Sequence, residues 1–287
     1  MQQLLTSWQI LLAISVISLS FATILQKLLM KDQKTDGVTF SIFFQILVGI
    51  IIGIFALIHG FRMPNLLSYL PNTIIMILFY GFANVFAFKA LGKIDASEYT
   101  VLFTTRSLWT IVGSLIFLGE RFSLIQIVGT CFLLGSIALI NIRKKKFSIN
   151  QGSFFALLGA LLFGLAFTND AYLVQRFDVL SYISIAFILP GVGMLFVYPK
   201  TFKKLHELVL PGILWRFISF SILYAIAAIT VYSAYLYGRN AAQLSALSQS
   251  TTILTVILSI VLLKETKGLF IKLLAIALAF IGVILLG

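Results

Sequence analysis

Two stretches of the chain decide its architecture. Residues 96–121 read ASEYTVLFTTRSLWTIVGSLIFLGER, and residues 241–266 read AAQLSALSQSTTILTVILSIVLLKET. Each stretch opens with small residues after a polar turn, continues as an apolar run, and has a glutamate near its end. The two glutamates, Glu120 and Glu265, lie 145 residues apart, and a threonine and a serine recur at the same spacing. The sequence therefore predicts that the second half of the chain repeats the first.

The apolar character of these stretches extends along the whole chain. Of the 287 residues, 60% are hydrophobic and only 10% are charged, whereas about a quarter of the residues in a soluble domain are charged. So few charges cannot cover the surface of a soluble protein of this length, so the excess apolar surface must face lipid. We infer an integral membrane protein, and we expect it in the inner (plasma) membrane of a bacterium.

Ten apolar runs are long enough to cross a bilayer, which takes about 20 residues in an α-helix. They lie at residues 7–30, 38–59, 71–91, 96–118, 123–142, 152–172, 180–200, 211–237, 241–263 and 269–286. The runs lack the polar–apolar alternation of a membrane barrel. The predicted fold class is an all-α polytopic membrane protein with ten transmembrane helices.

The repeat divides these helices into two sets of five. Residues 1–142 form the first five-helix repeat, residues 143–151 a basic linker, and residues 152–287 the second five-helix repeat. Because five is an odd number, the two halves must cross the membrane in opposite senses. This is the inverted-repeat arrangement of many secondary transporters.

The chain resembles the drug/metabolite transporter superfamily, in particular its EamA-type members. The resemblance rests on the ten-span plan, the small residues that open helix four, Leu-Gly-Glu-Arg at 118–121, and Leu-Lys-Glu at 263–265. Lys264 stands where the family commonly has glycine, which changes the turn and not the fold. The resemblance implies a basket-shaped bundle with a central cavity, alternating access, small metabolites as cargo, and cytoplasmic termini.

Charge gives a different orientation. The net charge is +12, but the basic residues lie in short loops, so we do not predict nucleic-acid binding. Sixteen Lys and Arg residues lie in or beside the odd-numbered loops, and four lie on the opposite side. Cytoplasmic loops carry the excess of Lys and Arg. The charge distribution therefore places the odd-numbered loops inside the cell and both termini outside.

Arg106 is the clearest candidate for contact with a cargo. It lies ten residues into helix four, about 15 Å at 1.5 Å per residue and hence near the middle of the membrane. Charged groups at that depth are costly and are usually functional. Arg106 would bind an anion or act as a gate; the alternative is a structural ion pair with Asp170.

The nine acidic residues show the opposite pattern. By the predicted bounds none lies at the middle of a helix, and Asp170 is only slightly inside its span. Proton antiport through a central carboxylate is therefore not supported. Glu120 and Glu265 end their helices, where hydrogen bonding at a helix end is the expected role.

Polar and aromatic residues inside the spans complete the list of cavity candidates. Tyr224, Tyr232 and Tyr235 share one face of helix eight, although the last two could belong to an interfacial aromatic belt. Each of the others could equally form a contact between helices. They are Gln45, Asn84, Trp109, Asn169, Gln243 and Gln249.

Glycine and proline mark two further features. Gly49, Gly53 and Gly164 belong to small-residue patterns that indicate close helix packing. Pro190, Gly191 and Gly193 lie in the middle of helix seven and predict a hinge, with a static kink as the alternative. The predicted hinge covers residues 190–193.

The sequence lacks the residues of several other functions. It has no catalytic motif, no set of metal ligands and no cofactor motif, and its single cysteine, Cys131, cannot form an intrachain disulfide. The predicted function is a secondary transporter or facilitator of a small, anionic or zwitterionic cargo such as an amino acid or nucleotide-type metabolite. The alternatives are a non-transporting membrane scaffold and a membrane-embedded enzyme, and a homodimer is left open.

Overall fold

The computed structural model describes residues 7–31, 36–94, 99, 102–103, 105–121, 123–141, 150–210, 212–237, 241–263 and 269–286. Within these ranges the chain is helical and contains no strand. Seven helices are long and apolar enough to cross a membrane, and two shorter apolar helices, Arg106–Leu118 and Leu124–Ser136, accompany them. Large side chains such as Ile58, Phe117 and Phe196 point outward, with 75%, 74% and 82% of their surface exposed. Such a surface suits lipid, and the chain is an integral membrane protein.

The described helices fall into two sets, one in each half of the chain. In the first half they are α1 (Trp8–Lys31), α2 (Gly37–Ile58), α3 (Leu70–Leu91), α4 (Arg106–Gly113, continued by a π-helical turn over Ser114–Leu118) and α5 (Leu124–Asn141). In the second half they are α6 (Gln151–Val174), α7 (Val179–Val197), α8 (Leu214–Leu236), α9 (two segments, Ala241–Ser248 and Ser250–Leu263) and α10 (Leu269–Leu286). Short 3₁₀ segments precede α3 at Leu66–Tyr69 and follow α7 at Pro199–Val209.

These bounds lie within three residues of the predicted ones, apart from the start of helix four. The predicted residues 95–98, 100, 101 and 104 fall outside the part of the chain that the structure describes. Two local irregularities lie inside the predicted spans: helix four becomes π-helical at Ser114, and α9 has a turn at Gln249 between its two segments. Helix seven was predicted to reach Lys200, but it ends at Val197 because Pro199 cannot continue its hydrogen bonding.

Local sequence accounts for several of the helix ends. The side chains of Asn150 and Asp178 accept hydrogen bonds from backbone N–H groups three residues later and so cap α6 and α7. Ser123 and Gln126 exchange hydrogen bonds in a reciprocal cap at the start of α5. Gly119 adopts a φ of 67° directly after the π-helical turn, a conformation that glycine reaches without strain.

Packing between the halves is symmetrical under exchange of the repeats. The contact of α1 with α8 is matched by α6 with α3, that of α4 with α6 by α9 with α1, and that of α3 with α7 by α8 with α2. The remaining large contacts between the two halves join helices at equivalent positions of the repeats, namely α2 with α7, α4 with α9 and α5 with α10. The core therefore lies at the interface between the repeats.

The two ends of the bundle can be distinguished by their loops. At the even-loop end, which joins α2 to α3, α4 to α5, α6 to α7 and α8 to α9, the Asn72 side chain donates to Oδ1 of Asn169 at 2.7 Å. At the odd-loop end, Lys204 pairs with Asp36 at 3.6 Å. Both contacts connect one repeat with the other.

Glycines allow the closest helix contacts, as the small-residue patterns predict. A Cβ on Gly49 would lie 2.8 Å from the backbone carbonyl oxygen of Ser184, so Gly49 lets the backbones of α2 and α7 approach each other closely. A Cβ on Gly164 would lie 2.4 Å from the carbonyl oxygen of Arg106. Gly164 therefore determines how closely α4 approaches α6.

We expect Gly164→Ala to destabilise the protein, because the new methyl group meets rigid backbone on α4. Overpacking of this kind costs about 1–3 kcal/mol. The matched control is Gly135→Ala in α5, where the added Cβ meets nothing within 4 Å and alanine favours the helix. Thermal unfolding of the purified variants in detergent measures the difference. Equal melting temperatures for the two variants would contradict the packing role of Gly164.

Candidate functional site

A cavity lies between the repeats and consists of two adjoining chambers, whose walls are mostly apolar but include several polar side chains. The first chamber, with about 890 Å³ of empty space including the part open to solvent, has Ser15, Gln45, Tyr80, Asp170 and Tyr232 in its wall. The second chamber, with about 660 Å³ measured in the same way, extends toward the odd-loop end, past residues near the end of α1 and the end of α3. Seven residues belong to both walls. They are Leu19, Asn84, Arg106, Phe163, Tyr224, Gln249 and Thr251.

Arg106 lies at the junction of the two chambers. Its guanidinium carbon is 5.2 Å from the ring centre of Phe103 and 5.0 Å from that of Phe163, so two aromatic faces support it. Among the described residues, no carboxylate lies within 4 Å of this guanidinium, and none of them accepts a hydrogen bond from it. An arginine held in this way keeps its five N–H donors for a ligand in the cavity.

Asp170 is the second charged residue of the cavity wall, and its side chain is fully buried. One carboxylate oxygen accepts a hydrogen bond from the Tyr182 hydroxyl at 2.6 Å, and the other accepts from the Tyr232 hydroxyl. The Tyr80 hydroxyl lies 3.0 Å from the Tyr232 hydroxyl. This network, called the Asp170 network below, joins α3, α6, α7 and α8.

Asp170 lies near the end of its span, as predicted, since α6 ends at Val174, but it is also fully buried and lines the first chamber. The alternative of an ion pair with Arg106 is not supported, because the Asp170 carboxylate is occupied by tyrosine hydroxyls. Phe163, Phe167 and Asp170 follow one another on the cavity face of α6, where seven residues span about 10 Å. The cavity therefore has a cation and a carboxylate at separate positions.

The even-loop end of the cavity is closed by further polar contacts. The Glu120 carboxylate accepts hydrogen bonds from the backbone N–H groups of Ala241 and Ala242, at 2.8 and 3.0 Å. Helix-end hydrogen bonding was the predicted role of Glu120, and the structure adds that the partner is the start of α9 in the other repeat. Gln175 donates to the Tyr235 hydroxyl at 2.5 Å and joins α6 to α8 at the same end.

Seven of the eleven predicted cavity candidates lie in the cavity wall. They are Gln45, Asn84, Arg106, Asp170, Tyr224, Tyr232 and Gln249. The other four lie outside it. Trp109 is 39% exposed on the outer surface, and Asn169 exchanges hydrogen bonds with Asn72. Tyr235 bonds Gln175, and Gln243 is buried in the first segment of α9.

Sequence reasoning missed part of the site. Tyr80 could have been found, because it lies one helical turn from Asn84 and shares its face. Thr251 and Thr255 are also one turn apart on α9. Tyr182 gave no signal, since a tyrosine near the start of a span is typical of an interfacial belt. Tyr232 also lies near a helix end, where the sequence cannot distinguish an interfacial position from a cavity position. It is buried and lines the first chamber, so its assignment to an interfacial belt was wrong.

The predicted hinge lies inside α7. Pro190 and Gly191 are buried, and all three residues continue the helix. A Cβ on Gly191 would lie 2.7 Å from the Ile46 side chain, and one on Gly193 would lie 2.8 Å from the Ile77 side chain. Both glycines therefore have a packing role against α2 and α3, whether or not the helix bends here.

A bundle of membrane-embedded helices around a cavity between two repeats is typical of membrane transport proteins. The model of the EamA-like transporter family matches the chain twice, over residues 6–142 and 150–287. These matches cover nearly the whole sequence, and the chain belongs to this family, which is part of the drug/metabolite transporter superfamily.

Comparison with individual proteins adds support for the fold. A solved structure described as "Crystal structure of protein" has 16% sequence identity with the chain and a TM-score of 0.70. The similarity covers 95% of this chain and 96% of the other. A search of curated proteins found no match.

Proposed function

We propose that the protein is a secondary transporter or facilitator that moves a small metabolite across the membrane by alternating access. The observation that carries the proposal is the cavity between the repeats, with Arg106 and Asp170 in its wall and the Asp170 network and the Glu120 contacts at its even-loop end. Alternating access requires these contacts to break while equivalent ones form at the odd-loop end. An interface between two repeats supports such an exchange.

The proposed topology is ten transmembrane helices in two inverted repeats of five. The exchange symmetry of the helix contacts supports it, since each of the larger contacts between the repeats has its counterpart when the repeats are exchanged. The charge distribution favours odd-numbered loops in the cytoplasm. In that orientation the second chamber extends toward the cytoplasm, and the expected location is a bacterial inner membrane.

The proposed cargo carries an anionic group, with or without a cationic one. Arg106 offers its donors to an anion, and a carboxylate in the same cavity suits a cargo that is zwitterionic. The aromatic walls formed by Phe163, Phe167 and Phe187 suit an apolar portion of the same molecule. An amino acid or a nucleotide-type metabolite has this chemistry.

Filling the cavity tests transport directly. Ala228 faces the first chamber, whereas Ile226 on the same helix is 39% exposed on the outer surface. We expect Ala228→Trp to reduce counterflow of a radiolabelled metabolite panel in liposomes by more than about tenfold, because an indole excludes a cargo of ordinary size from the cavity. Ile226→Trp should retain the wild-type flux. If the wild-type protein moves no member of the panel, the transport proposal fails and a scaffold or a membrane-embedded enzyme becomes the better explanation.

A second test concerns the hinge at Pro190. Pro190→Ala allows the residue to donate the helix hydrogen bond that proline cannot, which stiffens α7 without adding bulk against α2. We expect turnover to fall about threefold or more while the cargo affinity stays unchanged, because conformational steps limit many transport and enzyme cycles. The control is Pro199→Ala in the 3₁₀ segment beyond α7. Unchanged turnover in a folded Pro190→Ala variant would leave Pro190 with a static role only.

A further inference from the structure

Two hydroxyl groups in the wall of the second chamber lack a hydrogen-bond partner. The Oγ1 atoms of Thr251 and Thr255 are buried and make no hydrogen bond with any described residue, and each side chain is only 8% exposed. The two residues are one turn apart on α9, so their side chains lie on the same face. Buried polar groups without a partner are uncommon in folded proteins and require an explanation.

A threonine in a helix commonly bonds the carbonyl four residues earlier, but neither residue does so here. For Thr255 that carbonyl belongs to Thr251, and it accepts a hydrogen bond from the Ser20 hydroxyl of α1. For Thr251 the equivalent carbonyl lies before the interruption of α9 at Gln249. Each threonine therefore keeps an O–H donor without a partner among the described residues, in a side chain that lines the second chamber.

The corresponding position in the first repeat is different. Thr110 matches Thr255 at the spacing of 145 residues, and its hydroxyl bonds the carbonyl oxygens of Arg106 and Gly164 at 3.1 and 3.2 Å. At the same spacing, Arg106 itself matches Thr251. Equivalent helices thus contribute an arginine from one repeat and two threonines from the other to the wall of one chamber.

We propose that Arg106, Thr251 and Thr255 form a subsite for an oxyanion, a carboxylate or a phosphate, in the second chamber. This deepens the proposed function, on which the transport role of the subsite rests. Arg106 supplies the positive charge and up to two parallel N–H donors, and each threonine supplies one O–H donor. Three residues from two repeats would hold the anion, and their separation when the repeats move would release it. Two sources carry this chemistry, a soluble metabolite and a lipid headgroup.

The subsite can be tested without any transport. In a Cys131→Ala background, Thr255→Cys places the sole thiol in the second chamber, and Ser15→Cys places it in the first. Each thiol is reacted in non-ionic detergent with a negatively charged methanethiosulfonate (ethylsulfonate) and a positively charged one (ethyltrimethylammonium). The measured quantity is the ratio of the two rates.

We expect the thiol at position 255 to prefer the anionic reagent, and Arg106→Gln to lower that preference about tenfold, because a nearby charge acts strongly in a cavity that excludes water. The thiol at position 15 should change less. Inorganic phosphate should slow the reaction at position 255 if the anion is soluble, and phosphatidylglycerol should slow it if the anion is a headgroup; protection by either supports the subsite and identifies the source.

An unchanged ratio in the Arg106→Gln variant would overturn the subsite, and so would a thiol at position 255 that neither reagent reaches. These outcomes are independent of the flux measurements. A protein with the expected labelling but no flux in liposomes would keep the anion subsite and lose the transport proposal. A protein with flux and an unchanged labelling ratio would keep the transport proposal and lose the anion subsite.

Discussion

Arg106→Ala should remove most transport of an anionic cargo and leave the protein folded. Within the part of the chain that the structure describes, the guanidinium packs over the rings of Phe103 and Phe163, and such contacts are worth about 0.5–2 kcal/mol. Its loss from a binding site deprives the cargo of a charge-assisted contact in a low-dielectric cavity, which is a larger effect. The measurements are initial uptake into liposomes at several cargo concentrations and the melting temperature of the same preparation.

Arg106→Lys separates charge from geometry. Lysine keeps the positive charge but cannot form the two parallel bonds of a guanidinium. We expect the affinity for an anionic cargo to fall by about 1–3 kcal/mol, roughly 5- to 150-fold, and less than in the alanine variant. The matched control is Arg176→Ala. Arg176 also lies over two aromatic rings, those of Tyr69 and Tyr172, but outside the cavity. Wild-type uptake of anions by a folded Arg106→Ala variant would contradict the assignment.

The exchange variant Arg106→Asp with Asp170→Arg tests the ion pair that the sequence left open. A pair would tolerate the exchange. In the structure each charge has different partners, aromatic rings for Arg106 and tyrosine hydroxyls for Asp170. We therefore expect neither stability nor transport to recover. Recovery of both would restore the ion pair as the better interpretation.

Helix positions could be predicted from the sequence because the bilayer imposes a length and an apolar composition on each span. The polar turns between runs then mark the ends, as at Asn150 and Asp178, whose side chains cap the following helices. The repeat could be predicted as well, since Glu120 and Glu265 recur at one spacing. These features depend on neighbours in sequence, and local patterns carry them.

The depth and partners of polar residues could not be predicted in the same way. Asp170 is five residues from Gln175, which caps the end of α6, and by position it belongs near the membrane surface. It is buried because α3, α7 and α8 each bring a tyrosine to the same point, and residues far apart in sequence determine that meeting. The prediction for Trp109 was wrong in the opposite sense, because it was expected in the cavity and lies outside it. It lies one turn from Arg106 in numbering, but the face of α4 toward α6 is occupied by Thr110 and Gly113, so the indole points outward.

The interruption of α9 at Gln249 was also outside the reach of sequence patterns. The run from Ala241 to Leu263 has no proline and no glycine, and its apolar composition predicts a continuous helix. The backbone nevertheless bonds Gln249 to Ala246 and Thr252 to Gln249 in tighter turns. Irregular backbone at membrane depth is tolerated where it lines a cavity. Here the interruption directs Gln249 and Thr251 into both chambers.

The Asp170 network should have the second large effect, on stability as well as on transport. Asp170→Ala leaves the hydroxyls of Tyr182 and Tyr232 buried without their acceptor. An unsatisfied buried donor costs about 1–3 kcal/mol, so the loss of two partners is expected to lower the free energy of unfolding by about 2–4 kcal/mol. The control is Asp178→Ala, which removes an aspartate that caps α7 at an exposed position and costs about 1 kcal/mol.

Restoring complementarity separates the structural part of the effect from the functional part. The quadruple variant Asp170→Leu, Tyr80→Phe, Tyr182→Phe, Tyr232→Phe removes the acceptor and all three hydroxyls of the network together, and such a replacement by apolar groups can be nearly neutral. We expect its melting temperature to recover most of what Asp170→Ala loses. Its flux should stay low, because the first chamber loses the carboxylate and the hydroxyls that a zwitterionic cargo would contact, and because an apolar seal at the even-loop end has no polar partners to exchange as the repeats move. Flux that returns together with stability would show that the Asp170 network only supports the fold. A melting temperature for Asp170→Ala equal to that of Asp178→Ala would show that the Asp170 network does not stabilise the fold more than one helix cap does.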